Sequence, residues 1–483
     1  MVAALKEKID RVSMSGILLA LCILLIVVAT IQVGWFAGFA LPIMLLGFVY
    51  LYKVFQNPFY ALLGIYIVNY FIMGAVRYVP SVPGGIIMDG LIGLTIVSML
   101  IYRVQHHQLP WERTKNILNL CIGVWFLYCL LQLFNPESVS AAAWFTGVRA
   151  EAWYFMLIVL FTQLLCVKYE MMKKICLVWS VLVILAVVKA LMQKYIGFDA
   201  AERRWLFVDG FARTHIIQTG IRYFSFFTDA ANFGAGMGYS MVFFSIAALS
   251  DKSKFIKYYY AFVALLACYG MMISGTRTAM VVPFAGYFMY TILRGNAKAL
   301  LTVGSSIIFF FIFFKYTMIL NGNPIVRRMR SGFNAKEDAS YLVRLENQKK
   351  MKGYMAHRYF GVGIGLGGGK AKRYAPNAYM SQIPTDSWFV LIWVETGIVG
   401  LLLHIASLVV IMLYGAYIIA FKIKNDELKG YLCGMYGGIL GMIVASYGNE
   451  IFGQFPNGFT IFTGMAFIYL GPYYDKELIA ANN

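Results

Sequence analysis

The chain is short of charge. Asp, Glu, Lys and Arg make up 13% of its 483 residues, roughly half the usual share of a soluble domain. Hydrophobic residues make up 60% and the mean hydropathy is +0.70, which excludes a water-soluble protein built around one core. Cysteine is missing from the long polar segments. All seven (Cys22, Cys121, Cys129, Cys166, Cys176, Cys268, Cys433) fall in apolar runs, so neither a disulfide framework nor a thiolate metal site is supported, and each reads as a small buried hydrophobe. Histidine is scattered (His106, His107, His215, His357, His404), which argues against zinc. No period of 20–50 residues and no inverted repeat of the transporter kind is visible. The first apolar run is too long for a signal peptide and no small-residue cleavage site closes it, so it reads as a span.

What is present is a succession of apolar runs long enough to cross ~30 Å of hydrocarbon as helices. About fourteen are expected, near residues 14–33, 37–54, 59–76, 86–102, 117–134, 152–167, 175–193, 229–249, 257–273, 279–293, 299–319, 388–414, 431–447 and 458–472. The expected fold is an all-α polytopic membrane protein. Residues 1–319 form the first eleven spans, 320–387 one large external loop with short helices, and 388–483 the C-terminal spans. Lysine marks every second connection, at Lys6/Lys8, Lys53, Lys115, Lys168/Lys173/Lys174, Lys252/Lys254/Lys257, Lys298 and Lys422/Lys424/Lys429. The positive-inside rule makes that side cytoplasmic and puts both termini there.

The remaining connections (77–86, 135–151, 194–228, 274–278, 320–387 and 448–457) then face outward. They hold thirteen of the seventeen arginines. Lysine serves as a simple retention charge, whereas arginine offers a planar fork that grips phosphate bidentately. An outer surface loaded with Arg149, Arg203, Arg204, Arg213, Arg222, Arg277, Arg327, Arg328, Arg330, Arg344, Arg358 and Arg373 points to a polyanionic ligand, with anionic headgroups or glycans as the plainer alternative.

Five polar constellations interrupt this pattern. RYFSFFTDAANFG sets Arg222, Asp229 and Asn232 at the outer start of a span, where polar groups are costly without partners and where Thr228 or Asp229 can cap the helix. SGTRTA forces Ser274 and Arg277 to the membrane surface in a tight turn; snorkelling is the alternative use of that arginine. DASYLVRLE begins a helical-looking stretch carrying Arg344, whose default is a solvated face. GVGIGLGGGK contains a formal G-x-G-x-x-G from Gly363 to Gly368. It lacks the strand, the ribose acid and the Walker serine of nucleotide sites, so it reads as a turn with close backbone approach. Finally Asp386 closes the large loop at the start of a span, as a site residue or an N-cap, and Glu395 lies ~13 Å further along the helix, a depth at which an acid needs a reason.

Taken in order, RYFSFFTDAANFGAGMG, SGTRTAM, DASYLVRLE, YFGVGIGLG and DSWFVLIWVETGIVG resemble the O-antigen ligase and O-antigen polymerase superfamily of bacterial envelope glycosyltransferases, over about residues 215–410. The family frame of His, a small polar residue, nine residues and G-x-x-G is met by Asp386-Ser387, nine residues and Gly397-x-x-Gly400, with aspartate in the histidine's place. The resemblance implies a GT-C-like bundle of about fourteen helices in the bacterial inner membrane, with its site facing the periplasm. It implies transfer of a glycan from undecaprenyl diphosphate to an acceptor hydroxyl on lipid A–core, without cofactor or metal and with inversion. The catalytic set would be Asp386, Arg277 and Arg344, supported by Arg222, Arg149, Asp229, Asn232, Ser274 and Glu395 on the substrates. The partners implied are a polyprenyl-diphosphate-linked glycan, a lipid or glycan acceptor and the membrane, not nucleic acid. A repeat-unit polymerase for O-antigen, capsule or exopolysaccharide is the alternative; a protein O-oligosaccharyltransferase or a lipid-glycan transporter fits less well.

Overall fold

The computed structural model describes residues 35–482, apart from 82, 106, 107, 218, 219, 296 and 333–338. The described chain is almost entirely helical; its one sheet is the two-residue hairpin of Ile216–Ile217 and Gly220–Ile221. It divides into two compact units, Met1–Ala61 with Gly93–Gln108, and Leu62–Ile92 with Leu109–Asn483. In the first, the described part consists mainly of Trp35–Gln56 and the C-terminal half of Gly84–Val104. The second carries the residues of interest.

Among the described residues nine helices are long and apolar enough to cross a membrane, and each coincides with a predicted span. The predicted spans near 37–54, 279–293, 299–319 and 458–472 are helical too, as Trp35–Gln56, Val281–Arg294, Ala297–Tyr316 and Asn457–Asn482. The span predicted near 14–33 lies outside the described residues.

Two segments depart from the expected pattern. Residues 135–151, predicted as an outer loop, contain the helix Ala141–Val148, started by Ser140, whose hydroxyl accepts the Ala143 N–H at 3.2 Å. It runs through the π-turn Arg149–Trp153 into Tyr154–Leu165. Arg149 and Glu151 interrupt the apolar pattern in sequence, but the π-turn carries them inside one continuous 25-residue segment. The second departure is a break within Trp388–Tyr417 at Gly397, whose φ of 72° is left-handed. A Cβ there would come within 2.0 Å of the Tyr359 carbonyl oxygen, so only glycine fits.

The second unit is centred on Ala230–Ser250, buried on nearly every face and packed against Lys254–Ile273, Asp426–Ala445 and Val281–Arg294. Small residues allow this. A Cβ on Gly437 would lie 2.6 Å from the Gly286 carbonyl oxygen, so the 281–294 and 426–445 helices meet backbone to backbone. On the lysine-marked side, Lys173 bridges Asp251 at 2.8 Å and Glu427 at 2.7 Å, and Tyr431 donates to Asp251.

Within 320–387 the described residues form the helices Pro324–Ser331 and Ala339–Met355 and a run of turns. Helix Ala339–Met355 and the turns that follow enclose a small core of Met351, Met355, Val362, Leu366, Met380 and Ile383, seated on Ala143 and Val394. Leu206, Phe224 and Ala230 form a second small core, with Phe198, Trp205 and Ala212 packed against it. Here His215 is buried; its Nε2 accepts the Ala230 N–H at 3.3 Å and so caps the central helix. Burial lowers the imidazole to about 4, with Arg222 and Arg77 acting in the same direction and Asp229 and the Phe211 carbonyl opposing them. An unfolded histidine protonates near 6.5, so between about 6.5 and 4 only the unfolded state takes up the proton. Stability contributed by neutral His215 is therefore present above 6.5 and is expected to decline by about 1 kcal/mol per pH unit as pH falls to about 4. Thermal melts across that range should show the slope in wild type and not in His215→Gln; parallel slopes would contradict it.

Candidate functional site

Asp386 sits between the 3₁₀ turn Tyr379–Gln382 and the helix beginning at Trp388. Its φ is +52°, a left-handed backbone uncommon outside glycine but several-fold commoner for aspartate than for most residues. Ser387, not Asp386, is the helix cap, with Oγ 3.5 Å from the Val390 N–H. The capping use foreseen for Asp386 is therefore taken by its neighbour. Its carboxyl is half-buried. Burial pushes it above the usual carboxylate range, Glu450 adds to that, and the Arg344 guanidinium pulls the other way.

Arg344 is half-buried on Ala339–Met355. Arg277 opens the 3₁₀ turn Arg277–Met280 that connects Lys254–Ile273 to Val281–Arg294. The turn is braced by Ser274, whose Oγ donates to the Met271 carbonyl at 2.7 Å and accepts the Thr276 N–H at 3.2 Å. Gly332 approaches the Arg277 stem so closely that a Cβ would lie 3.1 Å from Arg277 Cδ. Arg222 donates to the Thr214 carbonyl and to Thr276 Oγ1, both at 2.9 Å. Burial lowers the Arg222 guanidinium, Asp229 opposes this, and Arg277 and Arg344 reinforce it. Arg344 thus acts on both Arg222 and Asp386, while Arg277 acts on Arg222.

The other predicted residues have different jobs. Asp229 caps the central helix, accepting the Ala231 and Asn232 N–H groups at 2.7 and 2.8 Å. Asn232 is buried, donating to Asp229 and to the Glu450 carbonyl and accepting from Asn457. Ser274 is fully buried. None of these three hydroxyl, amide or carboxyl groups is placed to reach a ligand without losing a helix start or a turn. Arg149 pairs with Asp89 at 2.7 Å, and Tyr154 donates to the same carboxylate at 2.8 Å, so it belongs to a separate polar pair.

Glu395 is 3% exposed and holds the glycine-rich loop. Its two oxygens accept the Gly365 and Gly367 N–H groups, each at 2.9 Å, while Val362 and Gly363 donate to the Val394 and Glu395 carbonyls at 2.9 and 3.0 Å. The close backbone approach expected of that loop is thus directed at the break in the 388–417 helix. The depth of Glu395 serves loop architecture, not ligand contact.

Three residues escaped the sequence reading. Glu450 accepts from Thr385 and pairs with Lys370 at 3.1 Å, so it links the glycine-rich loop to the residue before Asp386. Glu151 comes off the π-turn, is buried, and lies beside Glu395. Glu450 could have been noticed as a lone carboxylate in an outward connection; Glu151 and Lys370 carry no local signal. Among the described residues no three His, Cys, Asp or Glu side chains cluster in a way that would hold a metal ion.

The arrangement is therefore a carboxyl whose proton is held more tightly than usual, with the Arg344 guanidinium as its cationic neighbour and Arg222 and Arg277 linked to it through Arg344 and Arg222. Cations so placed can stabilise an anion on a departing group, and the carboxyl can take a proton from a hydroxyl beside it. Residues 262–405 match the family model described as O-antigen ligase. The matched segment contains Arg277, Arg344, Asp386 and Glu395 and leaves Arg222, Glu151 and Glu450 outside. No curated protein matches the chain significantly.

Proposed function

From a chain of the O-antigen ligase and polymerase superfamily, we propose an integral-membrane glycosyltransferase that moves a glycan from undecaprenyl diphosphate to an acceptor hydroxyl on lipid A–core. What supports this reading is the action of Arg344 on Asp386, together with that of Arg277 and Arg344 on Arg222. Their end of the chain's helices is taken as the periplasmic face, where neither ATP nor a nucleotide sugar supplies energy, so the donor must bring its own activated bond. A glycosyl diphosphate does so.

In this mechanism the diphosphate lies against Arg277 and Arg344, with Arg222 behind them, and the polyprenyl chain lies along the spans. Asp386 takes the proton of the acceptor hydroxyl as its oxygen bonds to the anomeric carbon. The bond from that carbon to the diphosphate oxygen breaks, and the electron pair leaves on the diphosphate. A single displacement inverts the anomeric centre, and the arginines supply the positive charge without a metal ion. Aspartate in the place of the ligase histidine favours one second reading, repeat-unit polymerisation. A deletion strain separates the two: unattached polymer indicates a ligase, and single repeat units indicate a polymerase.

Transfer from purified lipid-linked glycan is expected to fall by about 10²–10³-fold in Arg277→Ala and in Arg344→Ala. Lysine at either position should restore only part of it, because the bidentate fork is lost. Near-wild-type rates in both alanine variants at normal expression would remove the proposal.

A further inference from the structure

Residues 446–450, which follow helix Asp426–Ala445, touch both the Arg277 turn and the Asp386 segment. The helix itself runs so close to Val281–Arg294 that a Cβ on Gly441 would lie 2.5 Å from the Val282 carbonyl oxygen. The same seam continues past the helix end, where a Cβ on Gly448 would lie 2.5 Å from Thr278 Cγ2. A side chain at either place would push the two segments apart. Residues 446–450 are thereby laid against the turn Arg277–Met280.

Asn449 donates its side-chain amide to Oγ1 of Thr278, the residue next to Arg277. The same connection also holds the Asp386 segment. The Ser446 carbonyl accepts the Trp388 N–H at 3.0 Å and the Ser387 hydroxyl at 3.4 Å. The Glu450 carboxylate accepts the Thr385 hydroxyl, and the Glu450 carbonyl accepts the Asn232 amide at 3.2 Å. Asp386 is therefore flanked on both sides by residues bonded to 446–450, and Arg277 is followed by one.

The residue types suit a brace. A side-chain amide makes a directed hydrogen bond without bringing charge to the arginine turn, where a carboxylate would compete with an anionic ligand. Thr278 is half-buried and Thr385 is buried, so water competes little for either bond. The left-handed backbone of Asp386, φ +52°, persists only where its surroundings hold it.

We propose that Asn449 is a positioning residue for glycan transfer, holding the Arg277 turn in register with the Asp386 segment through its hydrogen bond to Thr278. This role presupposes those given above to Arg277 and Asp386. Asn449 acts through Thr278 and not on the reacting atoms: it fixes where Arg277 stands as charge grows on the leaving diphosphate. A misplacement of about 1 Å costs on the order of 10²-fold in rate. The loss falls on turnover, because donor binding is shared with Arg344 and the polyprenyl chain, whereas the growing charge exists only in the transition state.

The test is steady-state transfer from purified lipid-linked glycan, with donor concentration varied, beside thermal melts of the same full-length preparations. Asn449→Ala and Thr278→Val remove the bond from either side, so a folding failure in one leaves the other to decide. Each is expected to lose about 10- to 10²-fold in kcat with little change in donor KM, and the double variant to fall no further than the singles. Thr278→Ser keeps the hydroxyl and should recover most of the rate lost in Thr278→Val. A bond that serves stability alone would lower the melting temperature and leave kcat per folded molecule unchanged. The proposal is overturned if kcat stays at the wild-type value in both single variants while Arg277→Ala loses its rate, or if the two losses add. A wild-type rate in Arg277→Ala as well would remove the reading of the site, and the positioning role with it.

Discussion

Asp386→Asn is expected to lower the rate of glycan transfer by about 10²–10⁴-fold while leaving retention of the lipid-linked donor nearly unchanged. That range is what a positioned general base contributes, and the asparagine amide keeps the size of the side chain but cannot take the acceptor's proton. The surroundings sharpen the test. Burial and Glu450 raise the Asp386 carboxyl and Arg344 lowers it, so the acid limb of the pH–rate profile should lie above the ordinary carboxylate range. Activity is then present above the raised value and lost as pH falls through it. Removing the negative neighbour in Glu450→Gln should move that limb to lower pH; exchanging one cation for another in Arg344→Lys should leave it nearly in place, because the charge remains. A wild-type rate in Asp386→Asn, or an acid limb that ignores Glu450, would assign the proton transfer to another group.

How much of this was legible depended on the range over which each residue's signal acts. Nine spans were readable because a run of apolar residues is a local property, and Arg277, Arg344 and Asp386 stood out because each lies in a short polar interruption of such a run. The approach of Arg344 to Asp386 was not local. Arg344 is brought to Asp386 by the folding of 339–355 over Met351, Met355 and Ile383, a core assembled from residues that look like an ordinary polar loop. The surroundings of Ser274, Asp229 and Asn232 were hidden for a different reason. Their polarity was visible, but their partners, the Met271 carbonyl, the first turn of the central helix and Asn457, were either generic backbone or more than 200 residues away. The helix Ala141–Val148 was missed because a π-turn, not a loop, absorbs Arg149 and Glu151. Glu450 sits in a short connection with no motif of its own, and its importance comes entirely from Lys370 and Thr385.

The buried carboxyl pair gives the second large effect, and it is asymmetric. Both oxygens of Glu395 accept backbone N–H groups, from Gly365 and Gly367, and Glu151 lies beside the same carboxylate. Two carboxyls in contact need one proton between them, and an acceptor already facing two N–H donors is the poorer place for it. The proton therefore belongs to Glu151, which donates. In Glu151→Gln the amide N–H₂ replaces that O–H as donor, so the contact to Glu395 survives, and the change in stability should stay within about 1 kcal/mol. In Glu395→Gln an N–H₂ must face either a glycine N–H or the Glu151 proton, which leaves donor against donor in a buried site. That variant should lose about 3 kcal/mol. Because the loop leads into Lys370 and onward to Thr385 and Asp386, its transfer rate should fall as well, whereas Glu151→Gln should keep most of the wild-type rate. Thermal melts of the detergent-purified variants and the transfer assay read both quantities. A larger loss in Glu151→Gln than in Glu395→Gln would place the proton on Glu395, and a wild-type transfer rate in Glu395→Gln would detach the glycine-rich loop from the chemistry at Asp386.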